Sequence, residues 1–232
     1  MIESAVTIIG SGPSLRDQRI EALGPEPAVC LNGAISLRDR LAGPVMLAVE
    51  DERFVWAHLD MMRDCLNQDD ICLFSTSVLR ALCEQDISWL SQRRVVHVDN
   101  LRKPYRQPRR SIADIAKNAF ILSDGQAALS RSPGMGVVPA GSVAVTALQF
   151  AMASARRIGV AGVDLRNADA PRFYEKPGAT AWSGIADAAD RVTAHFALAA
   201  TVVEIECYSP VSALIDAGIP YVARLERGAP PC

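Results

Sequence analysis

Ile8-Ile9-Gly10-Ser11-Gly12-Pro13-Ser14-Leu15 is the stretch on which the fold turns. An apolar run enters Gly-Ser-Gly, which permits a tight turn and lets another group approach bare backbone. Pro13 then suits the first turn of a helix, where its missing N–H costs nothing. A helix opening there directs free N–H groups at the carboxyl edge of a sheet, the makings of an anion site. An exposed helix end contributes roughly 0.3–1 kcal/mol to holding an anion, enough to orient a phosphate but not to bind it alone. Leu15 stands where the dinucleotide pattern G-x-G-x-x-G has its third glycine, and no Gly-Lys-Ser/Thr follows, so neither that motif nor a P-loop is present. A tight strand-to-helix turn without a ligand uses the same residues.

Outward from this loop, short apolar or β-branched runs alternate with helix-like segments. Strands are predicted over 5–9, 28–31, 45–49, 71–74, 95–98, 157–161, 202–207 and 221–223, with helices over 52–66 and 143–155. Continuous apolar strands bounded by turn residues suit a parallel sheet covered on both faces. The predicted fold is α/β: a Rossmann-like, doubly wound, mostly parallel sheet whose ligands gather at the carboxyl ends of its strands. One domain spans 1–232. Two proline- and glycine-rich or irregular intervals, 99–139 and 166–183, break the rhythm and read as lid segments.

Half of the 232 residues are hydrophobic and 22% are charged, which places the chain among ordinary globular proteins. A net charge of −2 supplies no overall attraction to nucleic acid or to an anionic membrane, so nucleic acid is not an expected partner. The start of the sequence lacks the charged and apolar regions of a signal peptide, and the most apolar stretch, 140–155, is too short and too polar to span a bilayer. The six cysteines contain no C-x-x-C pair and read as reduced, mostly buried thiols. A cytoplasmic location is expected.

Further candidate residues lie at the predicted strand ends. Asn32 of Cys30-Leu31-Asn32-Gly33 can donate and accept at once, as recognition of a base or ribose requires, and Asn-Gly is equally a common turn pair. Ser142 stands where the helix that it precedes needs an N-cap. Asp164, in Gly162-Val163-Asp164, falls just past a strand's carboxyl end, where a carboxylate can bind ligand or cap a turn.

Together, Gly-x-Gly-Pro-Ser-Leu, Asn32, the Ser142 helix, Gly162-Val163-Asp164 and Tyr208-Ser209-Pro210-x-Ser212 resemble the bacterial sialyltransferases that use CMP-sugars and the related lipopolysaccharide-core transferases of the Kdo type. The 22 positions between Ser142 and Asp164 match those relatives, and Arg172-Phe173-Tyr174-Glu175 resembles a segment of the lipopolysaccharide-core enzymes. The resemblance implies a metal-independent glycosyltransferase that needs no cofactor beyond its CMP-sugar donor. It would act on a glycan or lipopolysaccharide-precursor acceptor; peripheral contact with the inner membrane is a separate expectation, from the basic residues considered below, and the sequence leaves open whether the protein is an oligomer. By matching position it places Gly10, Ser11, Gly12, Ser14, Asn32, Ser142 and Gly162 around the nucleotide, with Asp164 lining the same cleft. Ser11 replaces the Asn usual in those relatives, and no His occurs over 166–183, where the sialyltransferases carry their general base.

A lid carboxylate is therefore the expected base. Glu175 is chosen over Asp169, with Tyr174 beside it and with Arg172 and Lys176 as phosphate or substrate contacts. His195 reads as a packed or surface histidine within an apolar helix, and nothing recommends His58 or His97. The segment from Ser142 to Asp164 also resembles the 6-hydroxymethylpterin pyrophosphokinases, which would require Mg²⁺ and make Glu50-Asp51-Glu52 critical. Those three acidic residues equally suit the first turn of a helix. Asp69-Asp70 reads as a solvated turn. A nucleotide-binding module without catalysis is the third reading. The basic residues Arg93, Arg94, Arg102, Lys103, Arg106, Arg109 and Arg110 form either a solvated face or a surface for anionic headgroups or a phosphorylated acceptor; with Tyr105 as their only aromatic they do not suit single-stranded nucleic acid.

Overall fold

The structure, a computed structural model, describes residues 5–104, 106–166, 170–176 and 185–227, with the side chains at 185–187 set aside. Tyr105, Asp169, the remainder of the 166–183 interval and the last five residues lie outside the described residues.

Seven strands form one parallel sheet in the order β5-β4-β3-β2-β1-β8-β9. They are β1 (Ala5–Ile9), β2 (Ala28–Leu31), β3 (Val45–Val49), β4 (Ile71–Ser75), β5 (Arg94–Val98), β8 (Arg157–Ala161) and β9 (Glu204–Cys207). The remaining two strands, β6 (Ile121–Ser123) and β7 (Ala128–Ser130), pair as an antiparallel hairpin. The chain reverses its direction of travel across the sheet at β1, which pairs with β2 on one side and β8 on the other. The α/β doubly wound reading is the observed fold. The predicted strand at 221–223 is instead a single bridge between Tyr221 and Cys207, because one paired residue after Pro220 leaves no ladder to extend.

Alternating side chains feed two cores. Val6, Ile8, Val29, Leu31 and Ala48 face helices α4 (Val143–Ser154) and α5 (Ile185–Ala200). Ile9, Cys30, Leu47 and Val49 face α1 (Glu52–Cys65) and α2 (Thr76–Leu90). The period of two, with both faces buried, accounts for the unbroken apolar runs of the central strands. Burying each such side chain contributes about 1.5–3 kcal/mol.

The 99–139 interval is more ordered than its prolines suggest. It contains the hairpin and the one-turn helix α3 (Ile112–Ile115), with a small core of Ile115, Ala128 and Val138. Gln149 of α4 fastens it: its Oε1 accepts from the amides of Ser130 and Val138, each at 2.8 Å, and its Nε2 donates to the Val138 carbonyl at 3.1 Å. A buried carboxamide satisfied on both sides supports a packed insertion, whereas the sequence suggested an irregular flap.

Two charged features depart from expectation. Asp70, read as solvated, is 3% exposed; its oxygens accept from Arg38 Nε at 3.0 and 2.9 Å, and Oδ2 accepts also from Asn67 N at 2.9 Å. The basic run is also divided. Arg93 and Arg94 donate to the carbonyls of Leu66 and Asp69 at the start of β5, whereas Arg102 to Arg110 follow its carboxyl end.

Candidate functional site at the carboxyl edge of the sheet

The glycine loop leaves β1 and passes into a 3-10 helix, Pro13–Asp17, in place of the α-helix that the Pro implied. Three of its amides already have partners. Gly10 N donates to the Ala161 carbonyl at 2.7 Å, Gly12 N to the Gly162 carbonyl at 2.8 Å, and Ser14 N to Asp164 Oδ2 at 2.7 Å. Ser14 Oγ donates to Asp164 Oδ1 at 2.7 Å. The amides of Gly10, Gly12 and Ser14, expected to be free for a phosphate, are thus each bonded within the protein, and the carboxylate at Ser14 is the protein's own Asp164. The glycines do admit a close approach. A Cβ at Gly10 would overlap the Gly162 carbonyl, and one at Gly12 would overlap the Asp164 carboxylate.

Gly162 and Val163 are held in turn by the segment that follows β9. Ser209 Oγ accepts from Gly162 N at 2.7 Å and lies 3.1 Å from Ser14 Oγ, while Ser212 Oγ donates to the Val163 carbonyl at 2.7 Å. Gly162 adopts φ +63°, a conformation that favours glycine. The Tyr208-Ser209-Pro210-x-Ser212 segment thus acts as a clamp on the β8 loop. Asp164, 6% exposed, is a positioning group there.

A second set of residues surrounds the end of β2. Ser11 Oγ donates to the Leu31 carbonyl at 3.0 Å, joining the glycine loop to that strand end. Asn32 has φ 51°, and no donor among the described residues reaches its buried Oδ1. Left-handed backbone and an orphaned buried oxygen both carry a free-energy cost, and a ligand with an N–H or O–H would offset the second. Glu50 follows the end of the neighbouring strand β3, and its carboxylate accepts from Thr146 of α4. Burial pushes the Glu50 carboxyl above its ordinary value, with the Thr146 hydrogen bond opposing the shift. Ser142 caps α4 as its position implied, accepting from Ala144 N at 3.3 Å.

Residues 170–176 lie across this edge. Arg16 holds their backbone, donating through Nη2 to the carbonyls of Arg172 at 2.9 Å and Glu175 at 3.3 Å. Phe173 N donates to the Ser11 carbonyl at 3.3 Å. The Tyr174 ring rests on Gly33, where a Cβ would overlap it, and its hydroxyl accepts from Arg172 Nη1 at 2.9 Å. Glu175 Oε2 accepts from Arg172 N at 2.8 Å, so one oxygen of the expected base closes its own turn. Lys176 is exposed.

His58, which nothing in the sequence recommended, joins this cover. Its ring packs edge-on against Tyr174 with centroids 5.8 Å apart. Burial lowers its proton affinity first, followed by the charge of Arg172, while Glu175 acts in the opposite direction. It also interrupts α1 with φ −140° and ψ 24°. The kink is a structural signal that sequence spacing does not carry. His195, in contrast, is buried in α5 with Nδ1 2.6 Å from the Arg191 carbonyl, and His97 Nε2 lies 2.9 Å from Thr76 Oγ1.

The three carboxylates that a bound divalent ion would need are dispersed. Asp51 caps α1 and pairs with Arg53, Glu52 pairs with Arg80, and Glu50 turns to Thr146. A cavity of about 520 Å³ adjoins the glycine loop and the clamp, lined by Pro13, Ser14, Gln18, Pro210, Val211 and Arg227.

No protein-family model matches the chain, and no curated protein matches it. Among solved structures, it is similar to the sialyltransferase CstII from Campylobacter jejuni in complex with CMP-3FNeuAc. That pair has 13% identity and a TM-score of 0.46 over 98% of this chain and 89% of the other. The CstII structure with cytidine-5'-monophosphate gives 13% identity and a TM-score of 0.47 over 99% and 88% of the two chains. Overlap this loose assigns neither residues nor activity.

Proposed function

We propose that this protein is a glycosyltransferase that moves an ulosonic acid, of the Kdo or sialic-acid type, from a CMP-sugar to a glycan or lipopolysaccharide-precursor acceptor. The observation that carries the reading is Asn32: a buried carboxamide oxygen without a donor, in left-handed backbone, at the strand end where doubly wound sheets take nucleotides. The motif resemblance supports it, since its islands, scattered from Gly10 to Ser212, gather at one sheet edge.

In this reading Asn32 pairs with the nucleoside, and Ser11 and Ser142 flank it. Arg172 and Lys176 neutralise the departing phosphate, and Tyr174 covers the cleft. Charge placed where the leaving group develops negative charge is the main lever in such a site. The acceptor oxygen bonds to the anomeric carbon as the bond from that carbon to the phosphate oxygen breaks. CMP leaves with that electron pair. The acceptor's proton passes to Glu175, or to the uncharged His58 ring beside it. Excluding water beneath residues 170–176 protects the oxocarbenium-like centre from hydrolysis.

Thermal unfolding with and without nucleotides tests the assignment. Stabilisation by CMP in the absence of Mg²⁺, followed by transfer from CMP-sialic acid or CMP-Kdo, is the expected result; a ligand at 100 times its Kd adds about 2.7 kcal/mol. Stabilisation by ATP only with Mg²⁺, or by no nucleotide, would overturn it. CMP binding without turnover of either sugar would make the protein a binding module.

A further inference from the structure

Beyond the nucleotide cleft, three guanidinium groups from separate parts of the chain converge near the start of α4. Asn100 bridges to Val137, and the Leu101 amide donates to the Val137 carbonyl at 3.0 Å, which brings the segment after β5 against the one that enters α4. Arg110 N donates to the Arg102 carbonyl at 2.9 Å, turning the loop back so that Arg109 stands beside Arg102. From α5, Arg191 reaches the same place: its Nε lies 3.5 Å from the Ala140 carbonyl, and its Nη2 would be 3.1 Å from a Cβ on Gly141.

No carboxylate among the described residues forms an ion pair with Arg102, Arg109 or Arg191. Arg102 Nε is buried without a partner. The Arg102 guanidinium is held below its usual range by burial and then by the charges of Arg109 and Arg191. Two acids of the 99–139 interval are committed elsewhere: Asp114 to Ser111 and Lys117, and Asp124 to the amides of Gln126 and Ala127. Gathering three like charges without a counter-ion is unfavourable unless an anion supplies the missing charge. Planar guanidinium forks suit the oxygens of a tetrahedral phosphate.

We infer that Arg102, Arg109 and Arg191 form a phosphate-binding subsite at Ala140 and Gly141, made of residues that take no part in holding the nucleotide, for a phosphate ester. The ester is carried either by a small soluble molecule or by a phospholipid headgroup. Arg93 and Arg94 lie at the opposite end of β5 and take no part.

Two probes distinguish the sources. Titration with glycerol 3-phosphate reads the soluble ester. Co-sedimentation with vesicles of phosphatidylglycerol in phosphatidylcholine, against phosphatidylcholine alone, reads the headgroup. In at least one arm the full-length protein binds, and the exposed-residue double variant R109Q/R191Q weakens that binding at least tenfold. The companion R109K/R191K retains more of it, and CMP stabilises all three proteins equally. Binding in neither arm, or binding unchanged in R109Q/R191Q, overturns the subsite. Loss of CMP stabilisation in R109Q/R191Q at an unaltered unfolding temperature also overturns it, by assigning these arginines to the nucleotide cleft. Failure of CMP to bind the wild-type protein counts against the transferase reading alone.

Discussion

The Asp164 carboxylate receives both the amide and the hydroxyl of Ser14, each at 2.7 Å, across 150 positions of sequence. A niche for an anion at the end of β1 is thereby filled from within, whereas at the end of β2 the buried Asn32 Oδ1 has no donor among the described residues.

Asp164→Ala leaves the Ser14 amide without its acceptor in a part-buried site, while the Ser14 hydroxyl keeps Ser209 Oγ within 3.1 Å. An unsatisfied buried group costs about 1–3 kcal/mol, so a loss of about 2 kcal/mol is expected in urea unfolding. Asp164→Asn should lose about half as much, because its remaining carbonyl serves the amide and the Ser14 hydroxyl can reverse to accept. A loss below about 0.5 kcal/mol in the alanine variant would show that the contact carries no stability.

Asn32→Gly separates binding from folding. Glycine relieves the left-handed strain and removes the orphaned oxygen, while raising the entropy of the unfolded chain by a comparable amount. Stability should stay within about 0.5 kcal/mol of wild type, with CMP affinity reduced at least about tenfold, a change of 1.4 kcal/mol. Unchanged affinity by calorimetry would remove Asn32 from the site.

Glu50 sets a pH dependence. Burial raises its folded-state value above the ordinary 4.5, so its favourable contribution is complete below that value and is lost as pH rises through the folded-state one. Glu50→Gln stays neutral and still accepts from Thr146. Its urea midpoint should exceed that of wild type near about pH 7, with the gap closing towards about pH 4. A gap that is constant with pH would contradict this account.

Gly33→Ala places a methyl where the Tyr174 ring lies. The ring must lift, and residues 170–176 lose their seat while Arg16 still holds their backbone. Faster amide exchange confined to that segment is the expected outcome, read by mass spectrometry; unchanged exchange would mean that Gly33 itself moves aside.

Strand positions were legible because both sheet faces are buried, so an apolar run such as 45–49 needs no alternation to be recognised. The need for glycine at positions 10 and 12 was legible too, as a demand for close approach. What approaches was not, since Gly162 and Asp164 arrive through the β1–β8 pairing. Asp70 looked solvated because its partner, Arg38, lies 32 positions away. The basic residues on either side of β5 formed one run in sequence, yet a strand of five residues separates them by roughly 16 Å. His58 gave no sign, because its place depends on a kink in α1 and on the ring of Tyr174.

The pairing of β1 with β8 has a consequence for how the chain is made. Strands β2 to β5 can assemble beside β1 as they emerge from the ribosome, but the glycine loop gains its partners only when Ala161, Gly162, Asp164 and then Ser209 follow. A nascent chain halted after β5 carries those donors bare, which makes completion of the loop one of the last events of synthesis and a natural checkpoint for premature termination.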